Sequence, residues 1–537
     1  MFQNDAQNYP YTSKRTAVYA RKGMVSTTQP QAAQIGLAIL QNGGNAIDAA
    51  IATAAALTVL EPTSNGIGGD AFALVWVKDK LHGLNASGPA PKAISAEQVK
   101  ASGHSKMPLF GWTSVTVPGC PSAWATLSKR FGKLSLIETL QPAIDIAREG
   151  FAVSPTIAAQ WQKAAAIDDP LADTPATAHW KSTFTPDGKV PKAGDIVKFE
   201  QHANTLELIG RTDAEAFYRG ELAEAIDRHS KETGGYLSAE DLAAYNAQWV
   251  DPISVNYKGY DIWEIPPNGQ GMLALMALNI LKKIPLEYRD TTETFHQQIE
   301  AMKLAYVDGQ EYITQADQMQ VSVEAMLSDE YADQRRALIT DQAMLPTPGK
   351  PKSGGTVYLA CADDEGNMVS FIQSNFHDFG SRVVVPDTGI CLQNRGCNFS
   401  LDADAANYLV GGKQTLHTII PGFITKDNQA IGPFGVMGGF MQPQGHLQVI
   451  TNMIDFGLNP QAALDAPRWQ WMKDREITLE HQVPLHIAKG LAAKGHQVQV
   501  CYDSGIFGRG QIILRNPETG VLYGGTEPRA DGYIAAY

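Results

Sequence analysis

A mixed α+β protein in which helices cover sheets is what this sequence predicts, and three observations carry the prediction. An alanine-rich helical pair near the N-terminus runs through a glycine turn into an apolar strand. A long middle stretch repeats apolar residues at spacings of three and four. Beyond a break rich in proline and glycine, the chain changes to short strands and turns with one helical piece among them. With 537 residues, the chain has room for one large catalytic body or several small domains.

Taken in order, residues 29–62 read as two helices. The first stops at Gly43-Gly44, and Asn45 is placed to cap the second. Alanines along the second let a neighbouring element approach closely. After Glu61-Pro62 the run from Asn65 to Asp70 is a glycine-rich turn that leads into the strand AFALVWV. From about Leu134 to Arg336 the pattern is mostly helical, as in LSLIETLQPAIDIAREGF, AEDLAAYNAQW and GMLALMALNILKKI. Leu345 to Gly355 gathers prolines, glycines and lysines and reads as a linker, the one conspicuous boundary. Strands then follow at TVYLACAD, MVSFIQS, VVVP, HTIIPGFI and QVQVCYD, with NPQAALDAPRW helical between the last two.

The charge balance narrows the partners. An excess of acids gives a formal net charge of −13, which provides no field to gather phosphate backbone, so neither nucleic acid nor an anionic membrane is expected as a partner. Five widely spaced cysteines without a CxxC pair argue against a disulfide framework or a zinc site. The N-terminal stretch lacks the apolar region of a secretory signal, and the longest apolar run, Ala46 to Leu60, is too short to span a bilayer. These features read as a cytoplasmic enzyme.

The informative chemistry lies at Ser353-Gly354-Gly355, small residues that open onto Thr356 at the head of a strand. With no side chain before it, the threonine hydroxyl has access to its own upstream carbonyl. Cleavage there would leave Thr356 with a free α-amine, whose pKa of roughly 7.7–8.0 suits it to act as base for its own hydroxyl. If TVYLACAD and MVSFIQS form a hairpin centred on Glu365, Thr356 falls opposite Ser374, with Cβ atoms about 4.5–5.5 Å apart. A slip of one residue would send Ser374 to the other face.

The segments GGNAIDAAIATAAALTVLEPTSNGIGGDAF, SVTVPGCPSAWATL, LQPAIDIAREGFAVSP, GGTVYLACADDEGNMVSFIQS and MGGFMQPQGHLQVITNMIDFGLNPQAALDAPRW stand in order along nearly the whole chain. In them the sequence resembles the γ-glutamyltransferase (glutathione hydrolase) family of N-terminal-nucleophile hydrolases. That resemblance implies a four-layer αββα sandwich built from two fragments of one self-cleaved precursor, a large one of residues 1–355 and a small one of residues 356–537. It implies cleavage between Gly355 and Thr356, with Thr356 as catalytic nucleophile, Ser374 as its helper and Gly438-Gly439 as the oxyanion hole. The implied reaction is hydrolysis or transfer of the γ-glutamyl group of glutathione or related amides through an acyl-enzyme. The substrate is a small-molecule acyl amide, no cofactor or metal is called for, and the processed protomers are expected to form a homo-oligomer.

The departures from the family pattern fall on the acyl pocket. Ser95 stands nearest to where the family has the arginine that clamps the substrate α-carboxylate. Asn398 stands where it has the acid that holds the ammonium, and His417-Thr418 replace two carboxylate-binding serines. Phe376 replaces an asparagine. Arg395, Arg382 or Lys92 would have to supply the missing cation, and Arg395, three residues before Asn398, is the best placed. The pattern QSNFHDFGS…QNRGCNFSLD is similar to the γ-glutamyltransferase-like or cephalosporin-acylase-like branch, so glutaryl-type and other acyl amides stand as an alternative substrate class. An unprocessed homologue that only binds a small molecule is a second alternative. A serine hydrolase built on Ser374, His377 and Asp378 lacks a GxSxG elbow, and His377, His417 and His446 lack metal-ligand spacing.

Overall fold

The computed structural model describes residues 10–12, 15–346 and 355–537. Most of the linker read from the sequence, including Ser353 and Gly354, lies outside them. Near the N-terminus the two helices form as Pro30–Gln41 and Ala46–Leu60. Asn45 accepts the N–H groups of Ile47 and Asp48 through its side chain, while Asp48 takes the N–H of Asn45 in return, a reciprocal cap that fixes where the second helix starts. All fifteen residues of that helix are buried, which its small side chains permit.

Two seven-stranded sheets dominate. One runs from edge to edge through Tyr533–Ala536, Gly23–Thr27, Gly355–Asp363, Met368–Phe376, Asp70–Val77, Lys80–Ala86 and Gln248–Val250. The other runs through Val18–Ala20, Leu522–Thr526, Arg509–Arg515, Gln429–Met437, Gly422–Lys426, Tyr260–Glu264 and Ile253–Tyr257. Strand side chains alternate between faces, and the alternation divides the core. Phe72, Leu74, Trp76, Tyr358 and Ile372 point toward the second sheet and meet Phe423, Met437 and Ile513 there. Ala71, Ala73, Val75, Val357 and Leu359 point the other way, against Ala46–Leu60 and its neighbouring helices. Helices Gly271–Leu281, Thr292–Tyr312 and Gln442–Ile454 cover the outer face of the second sheet. The result is the four-layer αββα sandwich that the resemblance implied.

Three local expectations are corrected. The middle of the chain is interrupted by strands Gln248–Val250, Ile253–Tyr257 and Tyr260–Glu264, and AEDLAAYNAQW is helical only as far as Ala243. From Tyr260 to Glu264, burial alternates with a period of two. VVVP forms no strand, only a bridge from Val384 to Cys391, because Arg382 and Asp387 adopt positive φ (59° and 62°) on either side. HTIIPGFI becomes a ladder only from Gly422, just after Pro421, which has no N–H to contribute.

Candidate active site

Two adjacent strands place Thr356, the expected nucleophile. Strands Gly355–Asp363 and Met368–Phe376 pair in the register expected of a turn at Glu365, from Ala362 opposite Met368 to Val357 opposite Gln373. A bulge then sets Gly355 against Phe376. Thr356 and Ser374 are fully buried, with their hydroxyl oxygens 3.2 Å apart. The Ser374 hydroxyl also accepts the N–H of Phe376 at 2.8 Å, which fixes the oxygen beside Thr356. Gln442 approaches Thr356 from the start of helix Gln442–Ile454. Its Nε2 donates to the Thr356 hydroxyl at 3.4 Å, and its Oε1 accepts the N–H of Ile420.

On the next strand, Asp70 pairs with Ser374. Thr356, Ser374 and Asp70 therefore form one row across three strands on the face between the sheets. Gly68 and Gly69 make this row possible. A Cβ at Gly69 would lie 2.7 Å from the carbonyl oxygen of Ser374, and one at Gly68 would lie 2.3 Å from that of Cys391. At the end of strand Gln429–Met437, the chain turns through Gly438 (φ 140°) and Gly439 (φ 58°), angles that suit glycine. Both carbonyls are occupied, by the N–H of Met441 and by Gln270 Nε2, so the amides are what this turn has left to offer.

The other end of the group is ionic. Arg395 is 1% exposed and donates from Nη1 to the Thr418 hydroxyl at 2.6 Å, while its Nε and Nη2 have no hydrogen-bond partner. Its guanidinium lies over the Phe376 ring, 4.1 Å from the centroid. Phe376 holds that ring in place from a left-handed backbone (φ 76°), rare for an aromatic residue. Burial pulls Arg395 down to about 9, partly opposed by Asp70. Asp70 Oδ2 accepts a hydrogen bond from His417 Nε2 at 3.0 Å, a tautomer set by the N–H of Ile419 on Nδ1. Burial, followed by Arg395, keeps His417 well below its ordinary range and neutral. Burial lifts Asp70 to about 7, against Arg395 and the backbone amides of Gly88 and Gly119.

Thr356, Ser374, Gly438, Gly439, Arg395, His417 and Thr418 thus belong to one connected group. Gln270 ties Thr418 to Gly439, and Gln442 ties Ile420 to Thr356. Ser95 is not brought to it, because it caps the short helix Ala96–Ala101 in a box with Gln98. Asn398 is half-buried and spends its Nδ2 on the carbonyl of Leu416, tethering the segment that carries His417. Arg382 stacks on Phe110 and Trp180, and Lys92 is exposed. His377 lies past the strand end, with its N–H on Asn394, and His446 pairs with Glu264. Three members of the group went unread in the sequence. Gln270 and Gln442 carry no local signal, and Asp70 looked like the end of a glycine turn.

Comparison with known proteins places this geometry in context. A family model described as Gamma-glutamyltranspeptidase matches residues 32–537. A solved structure described as cephalosporin acylase from Bacillus halodurans is 58% identical, with a TM-score of 0.94 over 99% of both chains. A Glutathione hydrolase-like YwrD proenzyme from Bacillus subtilis is 36% identical, over 96% of this chain and 98% of its own. An Oxamate amidohydrolase proenzyme from Klebsiella pneumoniae is 32% identical, over 96% and 98%.

Proposed function

The chain belongs to the gamma-glutamyltranspeptidase family, and on that premise we propose that it is a self-processing threonine amidohydrolase or acyltransferase acting on γ-glutamyl amides such as glutathione. The observation that carries this reading is the buried Thr356 hydroxyl, 3.2 Å from Ser374 and within reach of Gln442, on the second residue of a central strand.

In the precursor, the Thr356 hydroxyl attacks the carbonyl of Gly355. The peptide becomes an ester, and water splits the ester into a Gly355 carboxylate and a Thr356 that carries both hydroxyl and amine. In turnover the amine takes the hydroxyl proton as Oγ adds to the substrate carbonyl. Ser374 orients Oγ, and the amides of Gly438 and Gly439 receive the developing oxyanion, where a single well-placed donor contributes about 3–4 kcal/mol. The leaving amine departs with the proton, and water or an acceptor amine then releases the acyl group from Thr356.

A second reading has a specific observation behind it. Asn398 offers an amide rather than a carboxylate, and the 58% identical solved structure is described as a cephalosporin acylase. Acyl amides that carry a carboxylate and no ammonium, such as glutaryl amides, fit that reading.

Denaturing electrophoresis tests the shared step. The 58.0 kDa chain is expected to resolve into bands of about 38 and about 20 kDa, and N-terminal sequencing of the smaller is expected to begin Thr-Val-Tyr-Leu. A fully active enzyme that runs as one uncut band would refute the assignment of Thr356, and an inactive one would favour the binding-only homologue.

A further inference from the structure

The sequence removes both charges that the family uses to bracket a zwitterionic acyl group, yet the fold brings another pair to the same end of the site. Arg395 and Asp70 are both fully buried and feel each other electrostatically, but they are not joined as an ion pair. Each is held back by its own tether. Asp70 is bound through Oδ2 to His417, and Arg395 is bound through Nη1 to Thr418 and pinned over Phe376. What remains is a matched set of groups without a side-chain partner: Nε and Nη2 of Arg395 on one side and, on the other, Oδ1 of Asp70, with the backbone amides of Gly88 and Gly119 beside the carboxylate. Buried donors and acceptors left in this state cost free energy that a bridging ligand of both charges recovers.

We propose that Arg395 and Asp70 form a relocated charge bracket, in which Nε and Nη2 of Arg395 take a carboxylate and Oδ1 of Asp70 takes an ammonium, so that the acyl group recognised carries both charges on one carbon. The proposal rests on the reading of Thr356 as nucleophile. Asp70 and Thr356 sit on the same row, separated by the single strand that carries Ser374. At about 4.8 Å per strand, Asp70 lies about 9–10 Å from the nucleophile's backbone, a span that a five-carbon acyl chain and the two side chains fill. Asp70 is a specificity-determining residue on this account, and it replaces the acid that Asn398 lacks.

The other groups around Asp70 leave it as the charge that changes. His417 is neutral, and Cys120, Tyr218 and Tyr245 are held protonated by burial. Arg395 is the facing cation, and the amides of Gly88 and Gly119 complete the surroundings. Asp70, lifted to about 7 by burial, is thus poised so that a nearby ammonium favours its anion and a lone carboxylate favours its acid.

Three anilides separate the charges. γ-Glutamyl anilide carries both, glutaryl anilide lacks the ammonium, and 4-aminobutyryl anilide lacks the carboxylate. With the cleaved enzyme, kcat/KM for the γ-glutamyl substrate is expected to exceed that of each partial analogue tenfold or more. The γ-glutamyl to glutaryl ratio is expected to rise between pH 6 and 8, a readout in which the titration of the shared nucleophile cancels. Asp70→Asn should shrink that ratio at least tenfold, chiefly through KM, and Arg395→Gln should shrink the ratio to 4-aminobutyryl likewise. Equal losses on γ-glutamyl and glutaryl substrates in Asp70→Asn, a wild type that prefers glutaryl, or a ratio flat across pH would each overturn the bracket. Should Asp70→Asn fail to cleave, the pH ratio of the wild type and the Arg395→Gln series decide the matter. If no anilide turns over, calorimetry of the cleaved protein with glutamate, glutarate and 4-aminobutyrate decides it. Binding of glutamate well above the other two keeps the bracket and removes the acyl-transfer reading, whereas no preference for glutamate removes the bracket.

Discussion

The proposed nucleophile end and the proposed recognition end of this site are made from opposite materials. Thr356, Ser374 and Gln442 are neutral groups joined by ordinary hydrogen bonds, and the first two lie 18 residues apart on one hairpin. Asp70, Arg395 and His417 are titratable groups taken out of water, and the bond from Asp70 to His417 joins residues 347 apart. Neutral hydroxyls in a sheet cost little to bury. An arginine and an aspartate held apart in the interior cost a great deal, and a fold keeps such an arrangement where something else gains from it. In this chain the proposed chemistry rests on neutral, local contacts, whereas the proposed selectivity rests on buried charges assembled from afar.

Removing the proposed nucleophile is the harshest way to test that division. Thr356→Ala should leave one uncut chain and lower turnover by about 10⁴-fold or more, since residues acting as a unit fail together. The recognition end should survive this loss, so glutamate binding to the uncut variant, measured by calorimetry, reports on Asp70 and Arg395 separately. A variant that still cut itself would break the comparison at its root.

The proposed oxyanion turn, Gly438-Gly439, is next in size. Gly438→Ala replaces a residue at φ 140° and brings a Cβ within 3.1 Å of the Gly508 Cα, so the amide must swing away from its direction. Self-cleavage should slow, and kcat of whatever cleaved enzyme forms should fall about 10²–10³-fold, with KM little changed. A change in KM alone would move this turn to the recognition end. Ser374→Ala is milder, because Gln442 still contacts Thr356. A loss of about 10- to 100-fold in kcat is expected from the less well-held oxygen, with most of it restored in Ser374→Thr.

The same contrast decides what was legible beforehand. The hairpin around Glu365 follows from a strand period of two and a short turn, so counting residues is enough to set Ser374 opposite Thr356. The cap at Asn45 is equally local. Ser95 shows how locality misleads: its position near a missing arginine suggested a ligand, while Ser95 and Gln98 together are a capping box. In the sequence Tyr260–Glu264 reads as part of a helical stretch, because five alternating residues are too few to outweigh their surroundings. Asp70 carried no signal at all. Its meaning comes from Arg395 and His417, and no period or turn in the sequence announces contacts across more than 300 residues.

The smallest effect is also the one that weighs the recognition end directly. In the unfolded chain Asp70 ionises near about 3.9, whereas in the fold burial lifts it to about 7. Between those values the folded protein keeps a proton that the unfolded chain has released. The stability contributed by the protonated acid is therefore complete below about pH 4 and is lost as pH climbs toward 7. Asp70→Asn has no proton to lose there. The difference in melting temperature, variant minus wild type, should accordingly grow in the variant's favour from pH 4.5 to 7.5 and then level off, as a stability difference that widens by on the order of 3 kcal/mol across that range. Differential scanning calorimetry across that range measures it, and the subtraction cancels every other carboxylate. Glutamate, if it binds through the bracket, should stabilise the wild type at pH 7.5 more than the variant and so narrow the gap. A difference that stayed flat with pH would mean that Arg395 and the amides of Gly88 and Gly119 already balance the anion in full. The recognition end would then hold no unspent charge for a substrate to relieve.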